Sequence, residues 1–412
     1  MLIALVVGAL TRSPKSKNTR SFNYPIKQEY SCVQYDQNHI QLYGDPTSWN
    51  LMLASMSQMA FEGEGKLDVL HIGGSHVQGG FLSDKLRNNL IELFYGAQGE
   101  RGFFFPYQLA KTNGQRSVKC DFTGTWTSCR NAVADHHCDW GMSGINATTY
   151  LPDARFSITT MHKDSLLEPF SEVRIYSSCG DTTSFAYQVA RGQLDSASLT
   201  ASYRRYTFSE PQTSLEVNLL QTDSNQNHFT LQGIYLGASE HGVSYHTIGV
   251  NGASTHSYLR CTGFAEQIKS IAPDLVICGI GVNDANVPAD DFDSGLYMSR
   301  YDSLINSFKA ANPSVCLLFV TNNDTYYQKR FSNPNAIKIR DCMISLATKH
   351  GGGVYDLYAV MGGANSIRSW ADAGLAAHDY IHFSKRGYEL QADMMTAAIA
   401  ELLGDYLART NP

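Results

Sequence analysis

The sequence predicts a doubly wound α/β domain, built on a parallel sheet, that is interrupted by an antiparallel β-sandwich. Apolar runs typical of buried strands alternate with helical patterns at both ends of the chain, before residue 117 and after residue 240. Between these parts lie short runs of alternating polarity, rich in Thr, Ser, Tyr and Val and separated by Asp, Gly, Ser and Asn. An α/β domain with a β domain inserted after its first strand–helix unit explains this order.

The order of the patterns also predicts the domain limits. We expect residues 21–116 and 241–412 to form the α/β domain and residues 117–240 to form the inserted β-sandwich. Residues 1–20 stand apart, because positions 2–10 are apolar and as long as a signal-peptide core, although positive charges follow this core instead of preceding it. They form an export signal, a disordered N-terminus or a buried first strand.

The individual elements follow from hydrophobic periodicity. The patterns predict helices at 46–62, 77–94, 256–271, 292–311, 333–349 and 385–407, and strands at 67–74, 243–250, 274–281, 315–322 and 352–358. In the middle part, alternating runs predict strands within 154–161, 171–177, 183–190, 214–222 and 228–237. The run 274–281 is apolar after its first residue, which is typical of a parallel strand buried on both faces.

Composition excludes several classes of protein. The 412 residues include 32 Lys+Arg and 38 Asp+Glu, and this net charge of −6 argues against a nucleic-acid binder that relies on a basic surface. With 43% hydrophobic residues the chain can bury a large core, so it is not disordered. No apolar run reaches the roughly 18 residues that a membrane span needs. The 23 Tyr and 19 Phe fit a carbohydrate-handling surface, and packing inside a β domain explains them as well.

The nine cysteines leave at least one thiol unpaired. Cys278 and Cys316 lie in apolar runs and are expected in the core. Cys120, Cys129 and Cys138 lie in a polar stretch, where two of them can pair if the protein is exported. The adjacent His136 and His137 beside Cys138 lack a spaced set of further ligands, so we expect no metal and no cofactor.

Four polar segments follow predicted strands of the α/β domain. They contain Ser75 after the first strand, Gly252, Asn283 after the most apolar strand, and Asp379 with His382 before the last helix. Ligands bind at the carboxyl ends of the strands of an open α/β sheet, so we expect these residues to meet there. Each one alone has an ordinary structural explanation, such as a helix cap or a turn, but all four in this order point to catalysis.

The residue types fit nucleophilic catalysis. A serine needs a base to take its proton, and His382 can act as that base while Asp379 orients and stabilises its ring. The oxyanion that forms during attack needs hydrogen-bond donors. We expect these donors to be the backbone N–H groups of Ser75 and Gly252 and the side-chain amide of Asn283.

The four segments resemble the four blocks of the SGNH (GDSL-type) esterases and lipases, which carry a catalytic Ser, an oxyanion Gly, an oxyanion Asn and a final Asp-x-x-His. This resemblance implies the flavodoxin-like SGNH hydrolase fold. The segments HIGGSH and TIGVNGA and the inserted β region are similar in detail to one branch, the bacterial peptidoglycan O-acetylesterases. That branch has a carbohydrate-binding-like β domain at this place. The resemblance implies removal of acetyl groups from a glycan partner, peptidoglycan or another polysaccharide, in the periplasm or cell envelope.

One position departs from the family pattern, because Gly74 stands where the family has an Asp before the catalytic Ser. A glycan-binding protein with a weak or inactive hydrolase domain therefore stays open as an alternative. An O-acetyltransferase that uses a sugar hydroxyl in place of water stays open as well, because the same triad serves both reactions. The aromatic segment 101–107 also has two interpretations, a sugar platform or a hydrophobic plug between the domains. Trp126 and Trp140 carry the same ambiguity. The oligomeric state stays open.

Overall fold

The computed structural model describes residues 22, 24–94, 99–162, 166–178, 181–190, 192, 194–238 and 241–410. The predicted export signal and Cys179 lie outside these residues, so the structure does not bear on them. In the described part of the chain, no helix is long and apolar enough to cross a membrane.

Strands and helices fill both parts of the chain. The strands are β1 (Ile40–Leu42), β2 (Lys66–Gly73), β3 (Gly99–Glu100), β4 (Gly102–Phe104), β5 (Val118–Phe122), β6 (Thr127–Arg130), β7 (Ile145–Thr149), β8 (Arg155–Thr160), β9 (Phe170–Ser177), β10 (Ala186–Ala190), β11 (Leu194–Leu199), β12 (Arg204–Gln212), β13 (Leu215–Leu220), β14 (Phe229–Gly237), β15 (Gly242–Gly249), β16 (Leu275–Gly279), β17 (Cys316–Val320), β18 (Tyr326–Tyr327), β19 (Phe331–Ser332) and β20 (Gly353–Tyr355). The helices are α1 (Thr47–Glu62), α2 (Ser75–Gln78), α3 (Phe81–Leu93), α4 (Thr255–Leu259), α5 (Phe264–Ile271), α6 (Ser294–Ala311), α7 (Asn335–His350), α8 (Leu357–Met361), α9 (Ser366–Asp372) and α10 (Lys385–Thr410).

The α/β domain is built on a sheet of seven strands in the order β1-β20-β17-β16-β2-β15-β3. The pairs from β20 to β3 are parallel, and β1 joins the edge antiparallel to β20. Neighbouring residues of β2 point to opposite faces. Val69 packs into one core with Trp49 of α1, whereas Leu70 packs into another with Phe308 of α6. Helices therefore cover both faces, and the predicted doubly wound fold is confirmed.

Two helix predictions are wrong in one respect, because the structure has two helices where each of them predicts one. The pattern at 77–94 spans the end of α2 and all of α3, and the break falls at Gly79–Gly80, where Gly80 has φ +82°. The pattern at 256–271 spans most of α4 and all of α5, and the break falls before Gly263. Hydrophobic periodicity continues through both breaks, but Gly80 and Gly263 adopt positive φ at little cost directly before α3 and α5.

The middle part forms two antiparallel sheets. One has the order β10-β13-β8-β5, and the other has the order β11-β12-β9-β14-β7-β6, with β4 also paired to β14. Aromatic rings connect the sheets: Phe229 of β14 packs at 5.4 Å from Tyr187 of β10, and Trp126 lies 5.9 Å from Phe156 of β8. The predicted antiparallel β domain is therefore confirmed.

The aromatic residues near the domain boundary are buried. Phe103, Phe104 and Phe105 are at most 1% exposed, and Trp126 and Trp140 are each 2% exposed. This burial favours the plug over the sugar platform, since a ring that stacks on a sugar must reach solvent.

Candidate active site

Ser75 lies where the first long strand of the parallel sheet ends. It follows β2 and is the first residue of α2, so its side chain leaves the sheet at the carboxyl edge. The first N–H groups of a helix have no partner within the helix. The N–H of Ser75 therefore has no partner within the helix. The positive end of the helix dipole lies at the same place, and both favour negative charge there.

Ser75, His382 and Asp379 form one hydrogen-bonded chain. Oγ of Ser75 lies 2.8 Å from Nε2 of His382, and Nδ1 of His382 lies 2.8 Å from Oδ2 of Asp379. A carboxylate can only accept, so Nδ1–H donates to Asp379 and leaves Nε2 to accept the Ser75 proton. The sequence-predicted catalytic residues are thus brought together in the arrangement that general-base catalysis requires. Their roles stay predictions.

The second carboxylate oxygen of Asp379 also accepts hydrogen bonds. Oδ1 accepts the backbone N–H of Ile381 at 2.9 Å and that of His382 at 3.0 Å. Partial burial would raise the pKa of Asp379, but the hydrogen bonds from the His382 ring and from these two N–H groups outweigh it and lower the pKa. The carboxylate therefore stays charged at neutral pH and favours the protonated ring that forms during attack.

The loop that carries this pair is held by a neighbouring loop that sequence reasoning missed. Asn323, after β17, donates its side-chain amide to the carbonyl of Ile381 at 2.8 Å. Tyr326 donates its backbone N–H to the carbonyl of Tyr380 at 2.8 Å, and the two rings pack at 4.9 Å. Tyr380 has φ +54°, an uncommon value for a residue with a side chain, so these contacts stabilise a strained turn beside the base.

His76 packs against the catalytic histidine. Its ring centroid lies 5.2 Å from that of His382, and its Nδ1 lies 2.9 Å from the hydroxyl of Tyr388. Burial, reinforced by the neighbouring His382, lowers the pKa of His76 to about 3, so this ring stays neutral. The sequence signal was present, since His76 directly follows Ser75.

Two of the expected oxyanion donors belong to loops that contact each other. Asn283 Nδ2 donates to the carbonyl of Ala253 at 2.8 Å, which leaves the second N–H of this amide available. Gly252 precedes Ala253 and has φ +85°, a backbone conformation that glycine adopts without strain. A Cβ atom on Gly74 would lie 3.1 Å from Asn283 Nδ2 and 3.6 Å from the Ala253 carbonyl. The Asn283 amide therefore lies beside Gly74, the residue before Ser75, and the carbonyl of Ala253, which follows Gly252, lies near the same position. The oxyanion roles stay predictions.

The same distances give a physical interpretation of Gly74. A contact of 3.1 Å from a Cβ is tight, so a larger residue here would have to displace the Asn283 amide. Because glycine has no side chain, Asn283 approaches the nucleophile turn directly. The nucleophile turn and the Asn283 amide therefore lie together with Gly74 in the place where the family pattern has Asp.

Gln78 links the two sides of the site, and sequence reasoning did not single it out. This side chain is 2% exposed, and its Oε1 accepts the backbone N–H of Asn251 at 2.6 Å. Its Nε2 donates to the carbonyl of Asn113 at 2.7 Å. Since Gln78 lies on α2 with Ser75, the nucleophile turn and the Gly252 loop are held at a constant separation.

Asp284 holds the Asn283 loop against the start of α4. It accepts the hydroxyl of Thr255 at 2.6 Å and the backbone N–H of Thr255 at 3.1 Å, at the start of α4. Burial raises the pKa of Asp284 to about 6, although the hydrogen bonds from Thr255 counteract part of this effect.

The arrangement suits acyl transfer at a solvent-accessible centre. The side chains of His382 and Asp379 are 38% and 30% exposed, so a bulky ester and a water molecule can reach them. Within the part of the chain that the structure describes, no group of three His, Cys, Asp or Glu side chains could hold a metal ion. The chemistry available is that of a nucleophile, a base and three hydrogen-bond donors.

The chain is similar to several known proteins. Residues 226–390 match the model of the GDSL-like Lipase/Acylhydrolase family. A solved structure described as a peptidoglycan O-acetylesterase in action superposes with a TM-score of 0.72 at 20% identity, over 88% of this chain and 99% of that one. At this identity the likeness shows the fold alone.

Two further solved structures match a smaller part. An acetyl xylan esterase covers 38% of this chain and 81% of its own, at 19% identity and a TM-score of 0.31. A carbohydrate esterase of family 3 from Talaromyces cellulolyticus covers 39% of this chain and 72% of its own, at 18% identity and a TM-score of 0.31. No curated protein matches the chain.

Proposed function

We propose that this chain, a member of the GDSL-like lipase/acylhydrolase family by its match over residues 226–390, is a serine esterase that removes O-acetyl groups from a glycan. The observation that carries the proposal is the hydrogen-bonded chain from Ser75 through His382 to Asp379, with 2.8 Å at each step. The fold shared with a peptidoglycan O-acetylesterase supports a glycan ester as the substrate.

The reaction begins when Oγ of Ser75 attacks the acetyl carbonyl carbon and Nε2 of His382 takes the hydroxyl proton. A bond forms between Oγ and carbon, and the carbonyl electrons move onto oxygen. This oxyanion accepts hydrogen bonds from the N–H groups of Ser75 and Gly252 and from the free N–H of Asn283. Asp379 stabilises the positive charge on the ring.

The second half of the reaction releases acetate. The intermediate collapses, the sugar oxygen leaves with the proton from His382, and Ser75 carries the acetyl group. Water then attacks this ester while Nε2 of His382 takes its proton. The second intermediate collapses to acetate, and the proton returns to Oγ of Ser75.

Acetate release tests the proposal. Purified protein is incubated with O-acetylated peptidoglycan, with acetylated xylan and with a simple aryl acetate. We expect release from a glycan and a loss of about 10⁵–10⁶-fold in kcat for Ser75→Ala. Ser157→Ala, on the distant face of the β domain, is the matched control and should leave the rate unchanged.

Three results would contradict the esterase. Release that persists in Ser75→Ala would exclude this nucleophile. No release from any of the three substrates would favour a glycan-binding protein with an inactive hydrolase domain. Acetylated sugar formed from an added acceptor, in place of free acetate, would show transfer instead of hydrolysis.

We also propose that the protein acts outside the cytoplasm, in the periplasm or cell envelope. The pairing of Cys129 with Cys138 supports this location, because disulfides persist mainly in oxidising compartments. A reporter enzyme that is active only after export, fused behind residue 20, tests it. An inactive reporter would contradict the proposed export signal.

A further inference from the structure

In the described part of the chain, His76 is the aromatic side chain that packs on the catalytic histidine. The centroids of the two rings lie 5.2 Å apart, and the ring planes differ by 33°. The side chain of His382 is 38% exposed, and water on its open side does not restrict its rotation. The hydrogen bond with Asp379 fixes only one nitrogen of this ring. The direction of the other nitrogen toward Ser75 therefore depends in part on the ring packed against it.

His76 is itself held between two helices. Its backbone lies on α2, directly after Ser75, and its Nδ1 lies 2.9 Å from the hydroxyl of Tyr388 on α10. The Tyr388 ring stacks on Phe81 of α3 with an angle of 11° between the rings, which keeps the hydroxyl in place. His76 thus connects the nucleophile turn with the 26-residue helix α10.

The second ring nitrogen of His76 lacks a protein partner. Its Nε2 is buried and forms no hydrogen bond with any described residue. Burial lowers the pKa of His76 to about 3, so the ring is neutral and carries its proton on one nitrogen only. If Nδ1 accepts the Tyr388 proton, Nε2 is a donor, and if Nδ1 donates to Tyr388, Nε2 is an acceptor. In both cases Nε2 needs a partner, because buried polar groups are nearly always hydrogen-bonded.

A small cavity beside His76 can supply this partner. It measures about 30 Å³, and its lining includes His76, His71, Asn322 and Gln391. A cavity needs about 10–15 Å³ to hold one water molecule, which then needs about two to four polar partners. Gln391 is 3% exposed, and its side-chain N–H contacts the sulfur of Met395, a weak acceptor, at 3.9 Å. The cavity therefore has the room and the polar groups for a buried water molecule.

We propose that His76 is a positioning residue, which Tyr388 holds at Nδ1 and a buried water molecule holds at Nε2, and which keeps the ring of His382 turned toward Ser75. The inference rests on the proposed esterase function and adds how the base keeps its orientation. His76 transfers no proton in this scheme. Its neutral ring also adds no positive charge beside the imidazolium that forms during attack, which a charged ring at 5.2 Å would repel.

Steady-state kinetics on an aryl acetate test the role of the ring. In His76→Ala the packed ring is lost, and we expect kcat to fall about 100-fold with KM changed less than about twofold, because a misplacement of about 1 Å costs this much. His76→Phe keeps a packed ring and should lose only about tenfold. Tyr388→Phe removes one hydrogen bond and should lose about three- to tenfold. His39→Ala, with an exposed side chain, is the matched control and should leave kcat unchanged.

Crystal structures of the wild type and of His76→Ala separate positioning from a general loss of structure, and thermal unfolding checks that the variant is folded. In the wild type we expect His382 in one conformation that faces Ser75, with a water molecule about 3 Å from Nε2 of His76. In His76→Ala we expect His382 to occupy a second conformation, turned away from Ser75. These structures require no turnover, so they decide the role of His76 even where the esterase proposal fails.

Three results would overturn the inference. An unchanged kcat in both His76→Ala and Tyr388→Phe would exclude the ring from positioning the base. A lower kcat in His76→Ala, with His382 still in one conformation that faces Ser75, would assign the loss to another cause. A wild-type structure without a water molecule at Nε2 of His76 would exclude the water site.

Discussion

The two sides of the candidate site are held in different ways. On the nucleophile side, Ser75, His382 and Asp379 are braced by Asn323 and Tyr326, which all lie in the α/β domain. On the oxyanion side, the β domain takes part. A Cβ atom on Gly252 would lie 3.5 Å from Cβ of Ala132, in a loop that the Cys129–Cys138 disulfide closes.

Arg260 joins this disulfide loop to the oxyanion side. It follows α4, and its guanidinium donates to the backbone carbonyls of Asn131, Val133, Ala134 and His136. The residues expected to transfer the proton are therefore held within one domain. The loop of Gly252, an expected oxyanion donor, also lies against Ala132 of the β domain.

The largest effect is expected on the nucleophile side, from Asp379→Asn. The amide cannot hold the Nδ1–H tautomer or stabilise the charged ring, so kcat on an aryl acetate should fall about 10³–10⁴-fold. Asp372→Asn, at the exposed end of α9, is the control and should leave kcat unchanged. A loss of less than about tenfold would show that Asp379 is not the orienting residue.

On the oxyanion side we expect a smaller loss. Asn283→Ala should lower kcat about 10²–10³-fold with little change in KM, because the amide acts on charge that exists only in the transition state. Asn286→Ala, in the same loop with an exposed side chain, is the control. A rise in KM at constant kcat would instead assign Asn283 to ground-state binding.

Asp284, which holds the Asn283 loop, should make the free energy of unfolding depend on pH. Its pKa in the folded state is raised to about 6 by burial, above the value of about 3.9 for an unfolded chain. Protonated Asp284 therefore stabilises the fold below about pH 4. This contribution, on the order of 2 kcal/mol in the free energy of unfolding, is lost as the pH rises through 6. In Asp284→Asn this component should be absent.

The measurement is the difference in unfolding free energy between wild type and Asp284→Asn across pH 4–8, from urea titrations. Taking the difference cancels the titration of other groups, including Asp379, whose lowered pKa produces the opposite slope at acid pH. A difference that does not vary with pH would contradict the buried, protonatable Asp284.

The smallest effect is expected from opening the disulfide loop. The double variant Cys129→Ser, Cys138→Ser should lose about 2–3 kcal/mol of unfolding free energy, the value for a short closed loop. The loop contacts Gly252 but contains none of the expected catalytic residues, so kcat should fall only about 2–5-fold. Cys120→Ser tests a thiol that is not paired in the structure. An unchanged kcat together with the stability loss would confine the loop to a structural role.

Much of the fold was predictable because it depends on local pattern. The apolar run at 274–281 predicted β16, and the alternating runs of the middle part predicted the antiparallel sheets. The divided helices were not predictable from periodicity, since a glycine with positive φ precedes the second helix of each pair while the apolar spacing continues.

The sequence by itself determined which residue types carry the chemistry. Ser75 and Asn283 each follow a strand of the parallel sheet, and strand direction brings the ends of these strands to one edge, whereas α8 and α9 separate His382 from β20. Only the tertiary structure decided which partners hold them. Gln78 and Asn323 contact loops far away in the chain, and no local signal encodes which distant carbonyl or N–H a side chain will meet. Strand order and domain packing determine such pairs.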